Sequence, residues 1–177
     1  AALTSAQLAQ LNATAAAALT PAQIGAFNST QIGALGTGAI GGLSSDQINA
    51  LSATQLASLN AAQIGALSAD AVAGMTPAQV AGLSVSQFQG LTATQIGALT
   101  ASEVAALTTT QIHSGLSTTQ VVALTTGQIQ ALTTDQIQAL TTSQIAVLNT
   151  TDVVALTTGQ VRALTTDQLV SLTTTQI

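Results

Sequence analysis

The feature that most limits what this chain can become is a period that suits no regular element. From Leu3 a block of eight residues recurs without interruption as far as the block that begins at Leu107. One extra residue, Gly115, then shifts the frame, and blocks resume at Leu116 and run on to Leu172. Residues 132–139, LTTDQIQA, show the block at its most regular. The first position is Leu in 20 of the 22 blocks, with Phe27 and Met75 in the others, and the second is Thr, Ser or Asn everywhere except at Gly36. The fifth is Gln in 17 blocks and the sixth is a large apolar residue in all but one, Ala16. The seventh varies freely and the eighth is nearly always small.

An unbroken α-helix turns once in about 3.6 residues, so an eight-residue apolar repeat drifts around it and forms no seam. A strand fails as well. The two apolar positions are five apart, an odd number, and would point to opposite faces. Each block must therefore contain a break, and its residues show where. Thr, Ser and Asn are preferred N-caps because the side-chain oxygen accepts a hydrogen bond from an otherwise unpaired helical N–H. Gln three residues later completes a capping box, and the apolar residues at block positions one and six occupy the N′ and N4 places of a hydrophobic staple. Pro21 and Pro77 both fall at the first helical position, where proline fits. All six acids fall in the first turn: Asp46, Asp70, Asp135 and Asp167 at N2, Glu103 and Asp152 at N3. There the helix dipole favours negative charge. His113 and Arg162 lie toward the other end of their blocks.

These signals predict one short helix per block, about one and a half turns long, followed by a corner. Glycines late in the block (Gly25, Gly33, Gly65, Gly74, Gly82, Gly90, Gly97) are expected to serve tight helix exits. A single block buries too little to offset the entropy of ordering it, so neighbouring coils must share surface, as in a solenoid. The expected fold class is thus all-α, a solenoid of short helices, with two or more blocks per coil. Leu and Ile should face inward and the Thr and Ser corners outward. Position four between Gly127 and Thr175 hints at a four-block period. A β-solenoid is the alternative, because Thr, Ile and Val favour strands. Residues 1–177 are read as one array, cut from a longer one, with no second domain. Gly115 is read as an insertion tolerated at a corner, with a kink or phase shift as the second option.

The totals narrow the function. Charged residues make up 4% of the chain and aromatics 1%, which is poor material for a ligand pocket or an interface hot spot. The net charge of −5, with Arg162 as the single strong cation, excludes a nucleic-acid interface, which needs a basic face. Cysteine is absent, which removes disulfides, zinc fingers and thiol chemistry. No segment has the continuous apolar length of a membrane span. His113 has no second His or Cys to share a metal with, and the acids are too scattered along the chain to compose a calcium loop. The Gly36–Gly42 stretch, GTGAIGG, lacks the Lys of a phosphate loop. Asn12, Asn28 and Asn149 begin N-x-S/T sequons but also sit at N-cap positions. No catalytic, cofactor-binding or metal-binding residue is expected, and the chain is not expected to be an enzyme.

The LTTxQIxA block resembles the Thr- and Ala-rich octapeptide arrays of large bacterial surface or secreted proteins of adhesin type. That resemblance implies an extracellular structural role. LTPAQI at 19–24 and MTPAQV at 75–80 are similar to the helix starts of TAL-effector DNA-binding repeats, but the longer period and the basic face of those repeats are missing. The expectation is a filament, sheath or adhesin stalk that associates with itself and takes no small-molecule substrate. The alternative is an ice- or surface-binding protein that uses regular Thr rows.

Overall fold

The computed structural model describes residues 3–176 and is helical throughout, with no strand among the described residues. The β-solenoid alternative is excluded. Among the described residues, twenty α-helices of four to six residues and one π-helical turn follow one another, one for each of the first 21 blocks, and the block that begins at Leu172 forms only a turn. The sixth-position residue of the last block, Ile177, lies outside the described residues.

The corners form where the sequence places them. In block after block the N-cap residue is extended and its side chain accepts from the N–H three residues on, as Ser68 does from Ala71 and Thr133 from Gln136. The preceding Leu is extended too: Leu67 has φ −58° and ψ 147°, and Ser68 has φ −67° and ψ 156°. Two extended residues in succession redirect the chain. Before that, each helix closes with a tightened turn in which the Leu N–H donates to the carbonyl three residues back, for example Leu67 to Ile64 at 3.2 Å.

From the fourth block onward, helices stack on the helix three blocks earlier in pair after pair. Ala101–Ala106 lies on Pro77–Ala81, and Thr158–Ala163 lies on Thr134–Ala139. A coil therefore holds three blocks, and the four-block hint from position four is wrong. That position is solvent-exposed at Asp46, Asp70, Asp135 and Asp167, so its composition is free of the stacking geometry. The inward expectation holds. Ile24, Ile48, Ile96 and Val104 are fully enclosed, and the Leu positions from Leu35 to Leu148 are nearly so. These residues form one continuous core along the solenoid axis.

Two expectations change. Gly74, Gly82 and Gly90 do stand at helix exits, but in the right-handed conformation, because no described glycine has a positive φ. Many of the glycines also let coils approach. A Cβ on Gly90 would fall 2.3 Å from the Ala61 carbonyl oxygen, and one on Gly65 would fall 2.5 Å from that of Gly90. The second change concerns Gly115. It is absorbed inside a helix and not at a corner. Residues Gln111–Gly115 form a π turn in which Leu116 N–H donates to the Gln111 carbonyl at 3.0 Å. The insertion therefore widens one helical turn and does not shift the stacking.

The glycine result gives a paired prediction. Gly90→Ala should destabilise the protein by roughly 1–3 kcal/mol through overpacking against the coil below. Gly127→Ala, whose new Cβ would have only a side-chain atom 4.0 Å away, should be neutral or stabilising by up to about 1 kcal/mol. Urea unfolding of the two variants checks both signs.

Candidate functional site

The polar side chain that recurs in the interior is the fifth-position Gln. It is buried in block after block, with Gln47, Gln95, Gln136, Gln160 and Gln168 all at 2% exposure or less. Buried amides need partners for both ends, and this one finds them in two different coils. In the block that begins at Leu91, Thr92 N–H donates to Gln95 Oε1 at 2.7 Å and Gln95 N–H donates to Thr92 Oγ1 at 3.2 Å. This is the capping box expected from sequence. The other end of the amide is spent on the coil below: Gln95 Nε2 donates to the Leu67 carbonyl at 2.6 Å and to that of Ile64 at 3.2 Å. Those carbonyls flank the corner where the helix Ala61–Ala66 ends. One amide thus caps the start of its own helix and the end of another.

The same bridge recurs up the array. Gln63 reaches Leu35, Gln87 reaches Leu59 and Leu56, and Gln111 reaches Leu83 and Val80. The separation to the Leu carbonyl is 28 residues in each case. Across the π turn it becomes 29, for Gln120, Gln128 and Gln136. It returns to 28 for Gln144 on Leu116. The extra residue is counted once by the ladder and leaves the pairing unchanged.

Five described blocks depart from the rule. Ala15, Ala39 and Ala71 replace the amide with a methyl group, and Gly36 supplies no capping side chain, so GTGAIGG is a weakly capped helix. Glu103 and Asp152 replace it with a carboxyl group. Both are buried, at 1% and 2% exposure, and burial pushes both carboxyls above their usual range, against the opposing effect of their N-cap hydrogen bonds. Asp152 is one methylene shorter and keeps only a long local bond, Asn149 N–H to Oδ2 at 3.4 Å. Glu103 takes the Thr100 N–H on Oε2 and leaves Oε1 buried without a partner. Their place in the first turn suits the helix dipole, but that position five is buried follows only from the stacking of the coils.

The remaining candidates lie on the surface. His113 is exposed on the π turn, and its Nδ1 lies 2.9 Å from the Ala139 carbonyl, so Nδ1 carries the proton. It borders a shallow depression of about 310 Å³ with Thr109, Thr110, Ser114 and Ala139. No three His, Asp or Glu residues gather in metal-binding reach among the described residues. Arg162 is exposed in the last turn of its helix. Asn12, Asn28 and Asn149 all cap helices through Oδ1. No described helix is long and apolar enough to cross a membrane.

The family model of the ALTTAQ repeat matches residues 25–61, 104–134, 114–142 and 145–177, together more than half of the sequence. The chain belongs to the ALTTAQ repeat family. The family's name spells the corner: the small residue that ends one block, the buried Leu, the Thr cap, two residues of the first turn, and the bridging Gln. The chain holds it as ALTTTQ at 106–111, ALTTGQ at 123–128 and ALTTDQ at 131–136. ALTTAQ geometry also runs through residues 62–103, which no match covers, because the capping boxes and bridges continue there. No curated protein matches the chain.

The double use of the amide sets the expected effect of removing it. Gln136→Ala leaves the Leu107 and Val104 carbonyls without their buried donor and opens one capping box. We expect a loss of about 1–3 kcal/mol per unsatisfied buried group, measured by chemical denaturation. An exposed control, Gln138→Ala, should change little.

Proposed function

We propose that this ALTTAQ array is a structural shaft of an extracellular filament, sheath or adhesin stalk, and that it associates with itself. The observation that carries the reading is the polarity of the coil. Along the axis the Gln side chains donate toward lower-numbered coils, and the corner carbonyls that accept from them face higher-numbered coils. The upper and lower faces of a coil are therefore complementary to each other and neither is complementary to itself. Such a heterologous contact repeats without closing, which is the symmetry of an open filament.

The chemistry of the exterior supports the same reading. With 4% charged residues there is little electrostatic repulsion to keep copies apart. The exposed valines Val122, Val154 and Val170 add apolar surface on the sides. The resemblance to secreted adhesin-type arrays supports an extracellular or cell-surface location. On this reading the chain is not an enzyme and binds neither nucleic acid nor a small-molecule substrate.

A second reading, ice or surface binding, rests on one feature. The three-block coil stacks Thr109, Thr134 and Thr158, all exposed, in one column along the axis. Thermal hysteresis and ice-shaping assays distinguish it, because activity there would demote the shaft.

The test of the shaft is electron microscopy combined with sedimentation of the purified chain over a range of concentrations. Fibres that grow with concentration are expected. Val122→Asp with Val154→Asp, on the exposed sides, should reduce their association and leave helicity by circular dichroism intact. Single particles at every concentration would sink the proposal.

A further inference from the structure

The buried ladder has one rung that does not fit its neighbours in charge. At position five of the block that begins at Leu99, Glu103 stands where the adjacent rungs carry Gln95 and Gln111. Its carboxyl group follows the amide pattern for one oxygen, since Oε2 accepts the Thr100 N–H as a Gln Oε1 would. The other oxygen occupies the place of Nε2, and there the pattern fails. Oε1 is buried and has no hydrogen-bond partner, in a residue 1% exposed.

The offsets of the ladder say what Oε1 faces. In the same column, Gln79 Nε2 donates to the carbonyls of Leu51 and Ile48, and Gln55 Nε2 to those of Phe27 and Gly25. The same separations place the corner of Val72 and Met75 beneath Glu103, and the helix Ala101–Ala106 does rest on Pro77–Ala81. Carbonyl oxygens only accept. A carboxylate oxygen against them is three acceptors with no hydrogen between them, in an interior that strengthens the repulsion. A carboxylic acid removes the conflict, because it has one accepting and one donating oxygen and so mimics an amide.

We propose that Glu103 is a proton-binding rung: its carboxyl group is held protonated in the folded array, with the Oε1 hydroxyl donating to the corner carbonyls of Val72 and Met75, so that the junction between these coils weakens as pH rises. No other charged group intervenes. The corner at 72–76 and the packed helices Pro77–Ala81 and Thr126–Ala131 contain no titratable side chain, nor does the rest of Ala101–Ala106. Asp70, on the helix that leads into the corner, is solvent-exposed. The raised affinity of the buried carboxyl for its proton agrees with this.

The sign follows from linkage. Below the ordinary Glu range both folded and unfolded chains hold the proton, and the contribution of this rung is complete. Above that range the unfolded chain releases the proton and the folded chain keeps it. The folding equilibrium constant then falls by about tenfold per pH unit until the folded-state value is passed. Asp152 is buried in the same column and contributes a slope of its own in the same direction. The comparison is therefore between wild type and Glu103→Gln, which leaves Asp152 untouched and installs the rung that the neighbouring blocks use.

Urea unfolding of both proteins between about pH 4 and about pH 8 is expected to show the ratio of their folding constants, Glu103→Gln over wild type, rising about tenfold per unit above the ordinary Glu range. The infrared difference spectrum of the two folded proteins near neutral pH, wild type minus Glu103→Gln, should contain a protonated-carboxyl stretch, since any contribution from Asp152 is common to both. A ratio that stays constant with pH, or the absence of that band near neutral pH, would overturn the proposal. Calcium chloride added at the upper pH should stabilise the two proteins equally. Selective stabilisation of the wild type would mean that a cation and not a proton satisfies Oε1, and would overturn it too.

Discussion

One side-chain amide holds this architecture together. Its oxygen closes the start of a short helix, and its nitrogen closes the end of another helix one coil away. Helices of four to six residues have more unpaired end groups than internal hydrogen bonds, so their ends decide whether they exist. A capping hydroxyl satisfies the first N–H groups, but the last carbonyls face the interior, out of reach of water. The buried Gln supplies their donors. Where the Gln is present, local helix capping and the stacking of coils are therefore served by the same side chain.

That coupling explains why the other positions take the residues they do. With the polar groups of each corner satisfied, Leu, Ile and Val can fill the axis as a continuous apolar core. Coils can approach closely only if backbone meets backbone, which is why Gly90 lies over Ala61 and Gly65 against Gly90. It also explains why an added residue is tolerated. Gly115 is taken up in a π turn with the flanking rungs, Gln111 and Gln144, still in place. Its own lack of a side chain makes room for the ring of Phe88, whose Cδ1 a Cβ would approach to 2.9 Å.

Membership of the ALTTAQ repeat family and the geometry of the corner are two descriptions of one pattern. Residues 62–103 fall outside the family matches, yet their corners are built in the same way. Ser and Thr serve equally as caps, and several apolar residues serve equally as staples. The tolerance has a limit at position five, where substitution by Ala removes a bridge and substitution by an acid changes the charge of the interior. The two acids behave differently for a simple reason of length. Glu103 matches Gln atom for atom, and Asp152 falls short by a methylene.

Sequence alone determined the break in every block, its register and its helical character. These depend on contacts within a few residues: Thr133 with Gln136, Leu67 with Ile64, proline at the first turn. It also determined which residues face inward, because staple partners must lie on one side of so short a helix. What only the tertiary structure decided lies far apart in the chain. Three blocks close a coil because of how two extended residues such as Leu67 and Ser68 add their angles, and no residue type encodes that sum. The partner of each Gln Nε2 sits 28 residues away, so the amide reads in sequence as a cap and nothing more. The glycines show at helix exits in sequence, but their use in close packing does not, for the same reason. A residue that permits a left-handed φ and one that permits close approach are the same residue, and only the neighbouring coil shows which property is in use.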